Sequence, residues 1–540
     1  MNEPITAELV AEDLPTTEPV ESDDAYHRYV CDVDRTGFWG TIDRWSDRAA
    51  RWLNPILIKE ARQSLKSRQF SGTFFLLLIA SLFWMTVGVV TLAPDIYYVP
   101  SGVYMMTGYY FLLAIPMLAM VPLAAHRSLA AELDEGTFEM LAITKLSALR
   151  IVTGKLGSAL LQMLVYFAVL VPCFAFCYLL RGVDLPMIAT TIVVVFTVSV
   201  LLTTWGLLLS TVAETRATQM LTLLMLLATI FLAEIFTAIF VLSAVYSQEL
   251  IWDLEALLFT ALFGLVAVSC MVLFVKAAAS RIAPVTENRS TPLRWIMFAQ
   301  QLIWIGSIAT LALWSNDDDV LMFGCLMLGG YWLLMGTLML GESVDLSPRV
   351  LRTLPETTLG RMFLLWMIPG PGTGYMFALT TAATGILSLG MCSLLVARSI
   401  QPLVFALLMI GYLLMYLSAV RLIMLVLSRR FGHSMGLALA AMCSLLVLGI
   451  VVPSVFMAIV TGSPSSFYGV QETTNWMWTI FRVFDDQKLD EAVVAATLVV
   501  GGALAMINLF LLFREFSFRH VATPTRVSED EAASAILDNG

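Results

Sequence analysis

The chain has 540 residues, of which 59% are hydrophobic and only 13% charged, and its mean hydropathy is +0.83. Soluble globular proteins carry roughly 25% charged residues, so this composition excludes a water-soluble domain. The formal charge of −10 resides in the tails: residues 1–34 hold ten acidic groups against one Arg, and 521–540 hold four against one.

Residues 1–35 read as an acidic cytoplasmic tail with too little apolar surface to fold. No basic-then-apolar stretch precedes Arg35, so no cleavable signal is expected there. Residues 36–71 read as an amphipathic helix. Phe38, Ile42, Trp45, Ala49, Trp52 and Ile56 follow steps of 4, 3, 4, 3 and 4, with Asp43, Arg44, Asp47, Arg48 and Arg51 mainly opposite. Tryptophans on one side and arginines on the other suit the plane of the lipid headgroups. Asn54-Pro55 supplies an N-cap followed by proline at the first helical position. Lys59, Arg62, Lys66 and Arg68 are expected near the lipid phosphates.

Twelve apolar runs of about 20 residues follow, each long enough to cross ~30 Å of hydrocarbon. They are Gly72–Leu92, Tyr104–Ala125, Gly157–Leu180, Met187–Val212, Ala217–Tyr246, Ala256–Val275, Trp295–Trp314, Val320–Leu340, Gly374–Val396, Pro402–Leu427, Met435–Val460 and Ala492–Phe513. Pro116, Pro172 and Pro453 fall inside spans, where membrane helices tolerate kinks. With both termini cytoplasmic, the outer loops hold only Arg181, Arg398, Arg482 and Lys488, which satisfies the positive-inside rule. The expected fold is an all-α polytopic membrane protein of two six-helix bundles, 72–277 and 294–513. A polar linker at 278–293 joins them, and a cytoplasmic tail at 514–540 follows. One transport domain followed by six unrelated spans is the alternative to duplication.

Two cytoplasmic segments carry most of the chemistry. Asn54-Pro55-Ile-Leu-Ile-Lys59-Glu60-Ala-Arg62 precedes the first span. After the second, His126–Leu156 contains Glu132-Leu-Asp-Glu135-Gly136-Thr137-Phe138-Glu139, then Leu141, then Leu146-Ser147, then Gly154-Lys155. Phe138, Leu141, Ala142 and Leu146 would form an apolar ridge between charged flanks, Gly136 permits a tight turn before it, and Arg150 and Lys155 would hold its far end at the headgroups. The corresponding segment of the second half, Glu342–Gly372, keeps Glu342, Leu346-Ser347 and Gly360-Arg361 but lacks the Glu-Gly-Thr-x-Glu core.

Together these segments resemble the membrane (permease) subunit of an ABC exporter of the ABC-2 type, mostly over Arg51–Arg181. The resemblance implies an elbow helix before the first span, with Trp45, Trp52, Asn54, Pro55, Lys59, Glu60 and Arg62. It also implies a coupling helix that takes force from separate cytoplasmic ATPase subunits, through Glu132, Glu135, Gly136, Thr137, Phe138, Glu139, Leu141, Leu146, Gly154 and Lys155. The family further implies substrate movement between the halves or between two copies, a second membrane subunit where one chain supplies one domain, and a bacterial inner membrane. The weaker motif of the second half implies one strong ATPase contact and one degenerate contact.

This chain shows no nucleotide site of its own. The only Gly-Lys has Leu149 five residues before the glycine and Leu156 after the lysine, which fails the phosphate-loop pattern on both sides. The chain therefore reads as a permease and not an enzyme, binding no cofactor and using ATP through its partner. Besides the ATPase and the bilayer, no nucleic-acid partner is indicated. Arg421 and Lys276 are expected to snorkel to the inner surface. Glu234 either ends the fifth span and begins a re-entrant outer helix, as the family has between its fifth and sixth spans, or places a polar group in the substrate path. Cys173 and Cys177 share a helix face with no histidine nearby and read as packing; Asp317-Asp318-Asp319 reads as a solvated turn. The rival functions are an ion-coupled secondary carrier, which also suits twelve spans in two halves, and a non-transporting membrane scaffold.

Overall fold

The computed structural model describes residues 55–94, 98–134, 147–212, 216–247, 254–284, 288–342, 365–396, 399–461, 469–486 and 490–515. Its helices are α1 (Pro55–Leu65), α2 (Arg68–Leu92), α3 (Gly102–Asp134), α4 (Ala148–Leu179), α5 (Leu185–Val212), α6 (Arg216–Ser247), α7 (Leu254–Ile282), α8 (Thr291–Ser315), α9 (Asp318–Leu340), α10 (Pro371–Val396), α11 (Gln401–Phe431), α12 (Met435–Thr461), α13 (Trp476–Asp486) and α14 (Glu491–Glu515). Twelve of them, α2–α12 and α14, are long and apolar enough to cross a membrane, and each carries one of the twelve runs read from the sequence. The face where α2 begins and α14 ends is called the near face below, and the opposite one the far face.

The buried apolar residues form two clusters, one from α2–α7 and one mainly from α8–α14. The packing of the fourth span repeats in part between them. The fourth span of the first half, α5, packs on α3, α6 and α7; its counterpart α11 packs on α9, α12 and α14, and also on the third span α10, more extensively than α5 does on α4. Helices α7 and α8 join the halves, with the Trp304 indole donating to Ser269 Oγ at 3.2 Å and Gln300 Nε2 to Cys270 Sγ at 3.2 Å. Long apolar residues on α2, α6 and α12 remain exposed, as a lipid-facing surface requires.

The segment between the second and third spans differs from the sequence expectation. His126–Asp134 continues α3 and Ala148–Leu156 begins α4, so both belong to the spanning rods. Nothing in Ala125–Leu133 breaks a helix, and the first glycine after it is Gly136. At 33 residues, α3 is ~50 Å long.

That rod contains a π-helical turn at Ile115–Met120, where Val121 N–H donates to the carbonyl of Pro116. In this five-residue register the next donor, to the Met117 carbonyl, would be residue 122. Pro122 has no N–H, and Ser199 Oγ of α5 donates to Met117 O at 2.5 Å instead. A hydroxyl from a neighbouring helix thus satisfies the carbonyl that proline leaves open.

The second half contains a helix that enters the bundle without crossing it. The Trp476 indole, at the start of α13, donates to the carbonyl of Leu446, and Tyr416 OH donates to that of Thr474 at 2.5 Å. Both anchor residues lie near the middle of their helices, α12 and α11. At the other end of α13, the Phe484 ring lies 5.8 Å from that of Phe405, one turn from the far end of α11. Tyr416 and Phe405 are ~16 Å apart along α11, and ten helical residues from Thr474 to Phe484 rise about as far. Residues 470–475 therefore sit at mid-depth, and α13 climbs from there to the far face. Its Trp476, Thr479, Ile480 and Val483 side turns to the bundle, while Met477, Trp478, Phe481 and Phe484 stay exposed.

Candidate functional site

At the near face α1 lies against α4. Ile56, Glu60 and Ala61 are buried there, while Lys59, Arg62 and Lys66 are exposed on the opposite side. Gly157 makes the approach possible: a Cβ at that position would meet Leu57 Cδ1 at 2.8 Å. Two turns further along α1, Ser64 Oγ lies 3.1 Å from Ser158 Oγ of α4. Helix α1 ends at Leu65, and Ser67 then caps α2 by accepting from Phe70 N–H at 3.1 Å.

Lys155 is the centre of this joint, with its side chain 2% exposed. Its ammonium lies 3.3 Å from Glu60 Oε2 of α1 and 3.0 Å from Glu132 Oε1 of α3, and donates to Ser128 Oγ of α3 at 2.8 Å. Three N–H groups meet three acceptors on two helices, so the lysine's donor capacity is filled. A buried charge of this kind is destabilising unless paired; removing the cation would leave two carboxylates facing each other.

The sequence placed Glu60 in the elbow group and Glu132, Gly154 and Lys155 in the coupling group; the structure brings Glu60, Glu132 and Lys155 into contact. Lys155 is therefore not presented on the outer surface to pair with headgroups, because two carboxylates draw it into the protein. Arg150 is exposed. Gly154 and Lys155 lie inside helix α4. Trp45, Trp52 and Asn54, together with Glu135, Gly136, Thr137, Phe138, Glu139, Leu141 and Leu146, lie outside the described residues. A signal for the joint was present: the next step of four along the apolar stripe, after Ile56, falls on Glu60.

The second half has a joint at the equivalent corner. Arg294, in the first turn of α8, is fully buried. Its Nη2 donates to Glu342 Oε2 at 2.7 Å, and its Nη1 to the carbonyls of Trp366 and Ile368 at 2.6 and 2.5 Å. Nη2 also reaches Gly370 O at 3.4 Å, while Gly370 N–H donates to Glu342 Oε2 at 2.8 Å. Gly370 has φ +142°, which side-chain-bearing residues rarely adopt. Glu342 is thus committed to holding the chain that enters α10.

Three further charged groups lie away from the near face, Glu234 and Arg421 within spans and Glu472 outside them. Helix α6 runs unbroken through Glu234 to Ser247, so no re-entrant segment begins at that residue. Glu234 is half-buried and accepts a long contact from Tyr110 OH of α3, 3.5 Å. Arg421 does not snorkel: it is 2% exposed, its Nη1 donates to Asn508 O of α14 at 3.0 Å, and its guanidinium lies 5.0 Å from the Tyr375 ring centre. Acceptors within the second bundle retain it there. Glu472, which lies between the last two apolar runs, is buried at the mid-depth tip before α13 and accepts from Asn475 Nδ2 at 2.9 Å.

Asp317 caps α9 by accepting from Asp319 N–H at 3.0 Å. Cys173 and Cys177 are both buried. Among the described residues no group of three or more His, Cys, Asp or Glu side chains is placed to hold a metal ion. No family model, curated protein or solved structure matches the chain.

Proposed function

We propose that this chain is the membrane permease subunit of an ATP-driven exporter of the ABC-2 type, with separate ATPase subunits docking on its near face. The observation that carries the reading is the Lys155 joint. It ties α1, α3 and α4 together at the base of residues 135–146, the segment whose sequence resembles a coupling helix. Force applied to that segment would pass to three helices through one ionic contact instead of dissipating in a loose loop.

Two further features support the reading. The packing of the fourth span on the second, fifth and sixth recurs in the two halves, as a fused pair of transport domains would require, although the third span packs differently. A helix of half-membrane reach, α13, lies between the fifth and sixth spans of the second half, where the family carries its re-entrant element. Exposed Lys59, Arg62, Lys66 and Arg68 support a near face on the cytoplasmic side, as the positive-inside rule expects; the bacterial inner membrane rests on the family resemblance alone. The engagement of Glu342 by Arg294 supports unequal ATPase contacts, with 135–146 the stronger.

The test is gentle purification from the native membrane and identification of co-purifying proteins by mass spectrometry. A soluble protein with a phosphate-binding loop, retained by the wild type and lost from Glu139→Arg, is the expected result. Its absence from the wild type would reject the export reading. Buried Glu472 and Arg421 favour an ion-coupled carrier as the second reading. Uptake driven by a pH gradient in ATPase-free vesicles, abolished by Glu472→Gln, would select it.

A further inference from the structure

Behind the Lys155 joint is a cavity of about 210 Å³, between α1, the start of α2, the near-face part of α3, and α4. It is polar for a site beside a membrane. Ser64, Ser67, Thr73, Ser128, Ser158 and Tyr166 contribute hydroxyls, and three glutamines, Glu60 and Lys155 also line it. Both contacts of Glu60, to Lys155 and to Ser128, use Oε2, so the other carboxylate oxygen remains available to a further donor. The site offers acceptors in excess of donors, which suits a ligand bearing several N–H groups.

A second, shallow groove adjoins it on the other side of α1. Lys59, Arg62, Gln63 and Lys66 line this groove, and Gln63 borders both concavities. None of the three cations has an ion pair among the described residues. Around the helix, at about 100° per residue, Glu60, Gln63, Lys59 and Lys66 follow one another from the carboxylate side to the cationic side. A groove lined by three cations thus lies next to a cavity lined by a carboxylate and six hydroxyls, and both lie at the end of the lipid-facing surface formed by exposed Phe75, Leu76, Leu161 and Leu164.

We propose that α1 and α4 hold the headgroup of one near-face membrane lipid of the phosphoethanolamine class. The phosphate sits against Lys59, Arg62 and Lys66, and the primary ammonium reaches past Gln63 to Glu60 and the hydroxyls. A choline headgroup carries the same charges but has no N–H to donate. A glycerol headgroup has no cation. The acyl chains lie along α2 and α4. This inference is independent of whether the chain exports anything, since it concerns how the α1–α4 joint is seated in its leaflet.

The experiment uses the full-length protein, purified in mild detergent, stripped of lipid and incubated in turn with dioleoyl phosphatidylethanolamine, phosphatidylcholine and phosphatidylglycerol. Native mass spectrometry counts the lipids retained. One phosphatidylethanolamine per chain is expected, preferred about tenfold over the other two, as one or two charge-assisted hydrogen bonds would give. Ala124→Leu fills the cavity and Lys66→Ala removes phosphate contact; each should erase most of the preference. Gln162→Leu, at a half-buried wall position, provides a third variant if Ala124→Leu does not fold. Equal retention of the three lipids, preference for phosphatidylcholine, or unchanged retention in all variants that fold would overturn the proposal. So would binding of free phosphoethanolamine as tightly as the lipid, since the site would then serve a soluble ligand.

Discussion

The two halves solve one problem with opposite polarity. Each must fasten the first element of its bundle to the end of the second span and the start of the third. In the first half the cation comes from the third span, Lys155, and reaches carboxylates on α1 and α3. In the second it comes from the first span, Arg294, and reaches a carboxylate just past α9 and carbonyls preceding α10. The first joint carries two carboxylates per cation and borders a cavity. The second is balanced in charge and filled by backbone. A lysine held by side chains on separate helices can change partners by rotamer shifts, whereas a guanidinium held by carbonyls in a fixed fork fixes its segment. The first joint is suited to movement, the second to anchoring.

That contrast can be broken most directly at Arg294. Arg294→Met should destabilise the protein by about 3–5 kcal/mol, since it removes a fully buried cation that donates to Glu342 and to the carbonyls of Trp366, Ile368 and Gly370. Intrinsic-fluorescence melting in detergent would show it, and a loss no larger than that of Lys155→Met would remove the distinction between anchor and hinge. Lys155→Met should cost less, about 2–3 kcal/mol, because it takes a donor from two carboxylates and one hydroxyl and no backbone carbonyl, and Glu132, 19% exposed, can be reached by water. Adding Glu60→Gln to Lys155→Met should restore part of the loss; a further decrease would mean that the carboxylates do not repel each other. The smallest effects belong to the hydroxyls. Thr373→Val removes donation to Ile368 O and Gly370 O and should cost about 1–2 kcal/mol, against about 1 kcal/mol for Ser128→Ala. The same melting curves would decide whether that order holds.

The spans were legible because apolar length is a one-dimensional property, and all twelve runs coincide with helices. Depth and partnership were not. Arg421 and Lys155 read from the sequence as reaching the inner surface, and the acceptors on other helices retain them. The tip at Val470–Asn475 is polar enough to read as a surface loop, and its depth depends on bonds to Leu446 and Tyr416. For the candidate site, the sequence supplied the members Glu60, Glu132 and Lys155 but assigned them to two separate groups. Residues 95 positions apart along the chain have no local pattern to announce their contact.

The π-turn of α3 has a bearing on that contact. Relative to an α-helical course it adds one residue, and each residue turns the axis by about 100°. Everything on the near-face side of Met120, including Ser128 and Glu132, owes its compass bearing to that extra residue. Deleting a single residue from Ile115–Met120 would leave the rod's composition nearly unchanged and swing Ser128 and Glu132 about 100° away from Lys155. The address of the ionic joint is thus written two to four turns upstream, as a phase, in a stretch that contains Pro116 and runs into Pro122.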